Sequence, residues 1–207
     1  MKSRFTLSIF VIALLAGAIG CGGGSGPTAP GPNPGGLPVE NYSLLFDGKT
    51  SRWPSTAFPL TVYVDPPPAE AGSHAQAMID GAKLGIDTWD NVIPGIPDVF
   101  NYVEFEEFGN IIVRWEPGVD GAYTRVTEFN SHIEIHKIGI DDSIRHPASI
   151  KLLLGHELGH VLGLGHSEAV NDLMFPTVNP LKTLMTARDR NMIQWLYTRG
   201  NYIPITY

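Results

Sequence analysis

The stretch GHELGHVLGLGH, residues 155–166, gathers three of the chain's seven histidines and a glutamate. A helix through His156 and His160 sets the two rings one turn apart on one face, with Cβ atoms about 6 Å apart, which suits two imidazoles converging on one zinc ion. Glu157 is offset by one position, so it lies beside such an ion rather than on it. From there its carboxylate can take a proton from a zinc-bound water, whose pKa the metal lowers towards about 7, and pass it to a leaving amine. A catalytic zinc keeps one position open, so a third protein ligand is wanted. His166 can supply it only if the chain turns first, because a continuing helix would carry it about 240° around the axis from His160. Gly163 permits the left-handed conformation that ends a helix and reverses the chain, and Gly165 adds freedom at the same bend.

The elements that must hold these groups are legible as periodicities. In RWPSTAFPLTVYVD, Leu60, Val62 and Val64 alternate with Thr61 and Tyr63 as in a strand. HAQAMIDGAKLGIDTWDNV then places Ala75, Met78, Ala82, Ile86 and Trp89 at three- and four-residue spacing, a helical stripe that packs on a sheet, with Gly81 and Gly85 weakening it. NYVEFEEF, NIIVRW, AYTRVTEF and HIEIHKI follow as short strand-like runs between Gly, Pro, Asn and Asp. ASIKLLLGHELGHVLGL is helical by length and spacing, with Leu158, Val161, Leu162 and Leu164 on its core side. LMTARDRNMIQWLYTRG predicts a last helix, with Thr186 as N-cap, Ile193, Leu196 and Tyr197 as packing face and Gly200 as stop. There is no internal repeat.

Composition sets the frame. With 207 residues, 43% of them hydrophobic, the chain supports one core once its ends are set aside. A net charge of -7 without any Lys/Arg cluster argues against a nucleic-acid partner or an anionic membrane surface. Lys2 and Arg4 precede the apolar run FTLSIFVIALLAGAIG, too short to span a bilayer comfortably, so residues 1–20 read as an export signal that is cleaved off. Cys21, the only cysteine, ends that run. The stretch resembles the lipobox of bacterial lipoproteins, with Ala18 where that pattern usually has Leu, which implies a lipidated Cys21 and a protein anchored in the cell envelope, at the outer membrane or cell surface. The alternative is an incidental cysteine behind an ordinary secretory signal. One cysteine forms no internal disulfide, so stability must come from packing and metal. GGGSGPTAPGPNPGGLP, too poor in apolar side chains to order itself, reads as a tether, and the chain stays irregular to about Thr50. The expected division is 1–20 signal, 21–50 lipidated cysteine and tether, and 51–207 globular domain.

HELGHVLGLGH matches H-E-x-x-H-x-x-G-x-x-H, the metzincin metalloprotease signature, in all five defined positions, and Met174 in NDLMFP stands where that group has its Met-turn. Within it the chain most resembles the matrixins, the matrix-metalloproteinase family. Ser167 follows the third histidine, Met174-Phe175-Pro176 is similar to Met-Tyr-Pro, TWDNVIP to LWSNVTP, and NMIQWLY to GIQSLYG. The resemblance implies an α+β zincin-like domain in which a small twisted mixed sheet packs with an N-terminal helix and an active-site helix, with a C-terminal helix after the Met-turn. It implies zinc held by His156, His160 and His166, Glu157 as general base, and Met174 as an apolar floor. Phe175, Pro176, Thr177 and Val178 would form a wall of the pocket just after the scissile bond. AYTRVTEF would be the edge strand that pairs with an extended substrate.

Some family features have no counterpart. The cysteine switch is missing, since the sole cysteine belongs to the signal. His132, Glu134 and His136 share a face of HIEIH and could bind a second metal, but an exposed polar face of a half-buried strand explains them as well. Asp141 and Asp142 resemble calcium ligands, yet paired aspartates are common in turns, so calcium has no support. His74 and His146 read as surface residues without a partner. Three functions follow: a zinc endopeptidase acting on protein or peptide at a membrane surface, a non-catalytic zinc-binding adhesion or scaffolding module, and a hydrolase of something other than protein. Glu157 favours the first over the second, and the edge strand favours it over the third. A monomer is assumed.

Overall fold

In chain order the strands are β1 (Ile9–Val11), β2 (Tyr42–Leu44), β3 (Ser51–Arg52), β4 (Leu60–Val64), β5 (Phe100–Val103), β6 (Ile111–Glu116), β7 (Ala122–Glu128), β8 (Ile133–Asp141), β9 (Leu164–Ser167) and β10 (Ile203–Thr206). The helices are α1 (Ala75–Ile86), α2 (Pro147–Val161) and α3 (Ala187–Tyr197). The computed structural model describes residues 9–11, 39, 41–45, 50–128, 132–177 and 185–206. The lipidation expected at Cys21 and the pocket wall expected at Val178 lie outside these residues, as do most of the expected signal and tether.

The five main strands run in the order β5-β4-β6-β8-β7. β4 is parallel to β5 and β6, β6 is parallel to β8, and β7 closes the row antiparallel to β8. Alternation in β4 buries Leu60, Val62 and Val64, and Ile111 and Val113 of β6 join them in the core. In β8 the buried set is Ile133, Ile135, Ile138 and Ile140, which changes parity midway. The register against β7 explains it, stepping from Arg125↔Lys137 to Val126↔Ile135 and leaving His136 at a bulge. The side chain of His136 lies outside the described residues, so the polar face expected for His132, Glu134 and His136 is described only at His132 and Glu134. His132 Nε2 meets Glu134 Oε1 at 3.1 Å, and both side chains are about one-third exposed.

α1 and α2 pack against each other and bury Met78, Ala82, Ile86 and Trp89 of the expected stripe, while Ala75 at its start is only half-buried. The two α1 glycines sit at this crossing rather than merely weakening the helix. A Cβ on Gly81 would stand 2.6 Å from the Pro147 carbonyl oxygen, and one on Gly85 would stand 3.0 Å from Leu154 Cβ. α2 begins after His146, whose ring accepts the Ala148 N–H at 3.3 Å, so this exposed histidine is an N-cap and not a partnerless surface residue. α3 begins at a capping box between Thr186 and Asp189 and ends at Tyr197, with Thr198 as C-cap rather than running on to Gly200.

Three pairings were not anticipated. β2 lies within the stretch expected to be irregular, yet it pairs antiparallel with β9. β10 runs parallel to both β3 and the start of β8, which ties the end of the chain to the sheet. β1 lies antiparallel along the outer edge of β7. The architecture is α+β, as the sequence implies.

Candidate metal centre

α2 is buried on nearly every side from Ile150 to Val161, and indoles fix it in place. Trp89 Nε1 donates to the Gly155 carbonyl and Trp53 Nε1 to the Val161 carbonyl, each at 2.8 Å. Tyr197 Oη donates to the Leu162 carbonyl at 3.2 Å. These bonds satisfy carbonyls on the helix and at its C-terminus where burial excludes water. The chain then reverses at Gly163, with φ +99°, and enters β9. Gly165 does not adopt the left-handed region, so its role is space and not backbone freedom. A Cβ there would collide with Ser43 Oγ and the Leu44 carbonyl of β2.

This reversal brings His166 back over the helix. One ring nitrogen from each of His156, His160 and His166 lies within 4.8 Å of the others, the only such cluster of metal-ligating groups among the described residues. His156 Nδ1 donates to the Leu173 carbonyl at 2.7 Å and His160 Nδ1 to the Leu164 carbonyl at 2.8 Å. In the neutral rings those bonds place the protons on Nδ1 and leave both Nε2 atoms as bare acceptors. The two Nε2 atoms nevertheless stand 3.1 Å apart. Two lone pairs facing each other at that separation repel unless a cation lies between them. Zn–N bonds of about 2.0–2.1 Å at tetrahedral angles put ligand nitrogens about 3.3 Å apart. His166 Nε2 is buried and has no hydrogen-bond partner among the described residues. The residues present therefore fit a zinc ion. Burial lowers the His160 pKa, and the facing His156 and His166 rings lower it further; burial also lowers that of His166. Both shifts favour the neutral form that binds metal.

Glu157 is fully buried beside this cluster. Thr124 Oγ1 on β7 donates to its Oε2 at 2.5 Å, while Oε1 has no partner. Burial pushes the carboxyl up to about 8, against the lowering effect of the Thr124 bond. Met174 is buried, and its thioether packs where a Cβ on Gly159 would otherwise sit, against the α2 backbone between His156 and His160.

Two aspartates hold the turn that carries Met174. Asp189 accepts the backbone N–H of Leu173 at 2.9 Å and of Met174 at 3.3 Å, together with the Tyr42 hydroxyl at 2.9 Å. Asp172 accepts from Ser167, Thr186 and Arg188. Burial raises the Asp172 carboxyl, but these donors outweigh it and hold the pKa below the usual carboxylate range. Sequence reasoning missed Thr124, Tyr42 and Asp189. Only Asp189 left a trace, as the fourth position of T-x-x-D starting at Thr186. Phe175 is half-buried, and Pro176 and Thr177 are exposed just beyond the turn.

No curated protein matches the chain. The sequence model described as Matrixin matches residues 86–198, from the end of α1 through α3 and across every residue of the three-histidine cluster. That span exceeds half of the 207 residues. The chain belongs to the matrixin family.

Proposed function

We propose that this domain is a zinc-dependent endopeptidase in which His156, His160 and His166 hold the metal and Glu157 is the general base. The observation that carries the proposal is the convergence of three imidazoles beside a buried carboxylate oxygen, Glu157 Oε1, that has no partner of its own. When bound, zinc would acidify a water molecule and polarise a carbonyl. The chain supplies the remaining groups. Glu157 Oε1 takes the proton, and the Thr124 hydroxyl keeps Oε2 from competing for it. Burial raises the Glu157 pKa in the metal-free site, and a bound cation beside it would favour the carboxylate form that accepts the proton. β7 offers its outer edge to an extended peptide, and the antiparallel seating of β1 on that edge supports this use. Phe175, Pro176 and Thr177 follow the Met174 turn, where the family resemblance puts the wall for the side chain after the scissile bond.

The protein is placed at the cell envelope by lipidated Cys21, on the strength of Lys2 and Arg4, the apolar run, the lone cysteine and the Gly/Pro tether in that order. The test of the enzymatic reading is hydrolysis of a diverse peptide mixture by the zinc-loaded protein, abolished by a chelator and restored by zinc. Tight zinc binding without hydrolysis would favour a non-catalytic binding module instead.

A further inference from the structure

β2 reaches the candidate metal centre from a distant part of the chain. Ser43 Oγ donates to the His166 carbonyl at 3.0 Å, across 123 positions of sequence. The pairs Tyr42↔Ser167 and Leu44↔Leu164 bracket His166. The Leu45 N–H donates to the Gly163 carbonyl at 3.0 Å, and the Glu168 N–H donates to the Asn41 carbonyl at 2.8 Å. Both ends of the segment that carries the third histidine are thus bonded to β2 and its flanks. The absent side chain of Gly165 makes the approach possible.

Tyr42 extends the connection. Its ring is buried and its hydroxyl donates to Asp189 Oδ1 at 2.9 Å. The same carboxylate accepts the Leu173 and Met174 N–H groups, and the Leu173 carbonyl accepts from His156 Nδ1. One short strand therefore contacts the backbone of His166 directly and the orienting partner of His156 through a single aspartate.

We infer that Asn41–Leu45 is a working part of the metal site: it sets the position of His166 and of the turn that orients His156, so this segment is needed for tight metal binding and is not a removable spacer. The inference rests on the reading of His156, His160 and His166 as metal ligands. Groups that orient metal ligands from behind change affinity by about 10- to 100-fold when removed, because the ligands must then be ordered at the moment of binding.

The experiment measures zinc affinity by chelator competition on the whole protein and on four variants. Tyr42→Phe keeps the buried ring and loses the hydroxyl, and its affinity should fall roughly tenfold. Leu45→Pro removes the N–H that bonds Gly163 and should lose about 10- to 100-fold. Val113→Ala, a cavity in the buried centre of β6, controls for general destabilisation. With cobalt in place of zinc, Tyr42→Phe and Leu45→Pro should alter the visible absorption bands while Val113→Ala leaves them as in the parent. If Leu45→Pro does not fold, Tyr42→Phe decides. His166→Ala tests the underlying reading: parental affinity in that variant would remove His166 from the ligand set and the inference with it. Loss in His166→Ala, with parental affinity and parental cobalt bands in Tyr42→Phe and Leu45→Pro, would overturn the inference alone.

Discussion

Thr124 Oγ1 and Glu157 Oε2 meet at 2.5 Å in the interior, joining the sheet's edge strand to the helix that carries two of the three histidines. A hydrogen bond to a charged group contributes about 1.5–3 kcal/mol. Thr124→Val keeps the shape and removes the donor, so turnover should fall about 10- to 100-fold if the bond serves the reaction. Zinc content should not change, and Thr124→Ser should restore most of the rate. Steady-state kinetics on one peptide substrate, with kcat and KM separated, checks this; a change confined to KM would contradict it.

The pH dependence of the metal-free protein isolates Glu157. Its folded pKa of about 8 lies above the ordinary value of 4.5, so the folded state holds the proton more tightly than the unfolded state. Stability therefore falls as pH rises between about 4.5 and about 8. The histidines act oppositely: lowered in the fold, they cost stability only as pH drops below their ordinary 6.5. Between about pH 7.5 and 8 these histidines are nearly all neutral in both states, so the Glu157 trend dominates. Urea unfolding of metal-free parent and Glu157→Gln across that window should show the parent losing stability relative to the variant as pH rises. Parallel curves would mean that the buried carboxyl does not titrate there.

Gly159→Ala places a methyl group 2.8 Å from Trp89 Cζ2 and closer still to the Met174 sulfur. Alanine is the better helix former by about 1 kcal/mol, but overpacking costs about 1–3 kcal/mol. Overpacking should win because Asp189 pins the Met174 backbone and the Trp89 indole is bonded to Gly155. A net destabilisation of about 1–2 kcal/mol is expected in equilibrium unfolding. A variant more stable than the parent would show that the Met174 turn moves freely.

What was legible in the sequence follows from how local each signal is. His156 and His160 could be paired because four residues make one helical turn, and His166 could be added because Gly163 allows the reversal that its φ of +99° performs. The β4 strand was readable from alternation at Leu60, Val62 and Val64, which sit against one continuous core. Thr124 was not readable as a partner of Glu157, since 33 residues separate them and only the packing of α2 against β7 brings them together. β2 has three residues beside a Gly/Pro-rich stretch, too few to show a period, and its order comes from β9 rather than from itself. The bulge at His136 was not readable either, because alternation carries no sign of an extra residue.

Cys21→Ser addresses the proposed anchor. Two acyl chains hold a protein stably in a membrane where one gives only marginal binding. The parent should sediment with membranes and the variant should not. Unchanged membrane association would refute lipidation at Cys21.

Peptide-bond cleavage by zinc and Glu157 together is tested by comparing zinc-loaded parent and Glu157→Gln at equal concentration on one peptide mixture, read by mass spectrometry. The amide nearly matches the carboxylate in size but cannot accept the proton at neutral pH. Zinc content should be equal in the two proteins and turnover lower in Glu157→Gln by on the order of 10² to 10⁴-fold, with chelator abolishing the parent's activity. Equal rates in parent and variant, or zinc-loaded parent that cleaves nothing across the mixture, would contradict it.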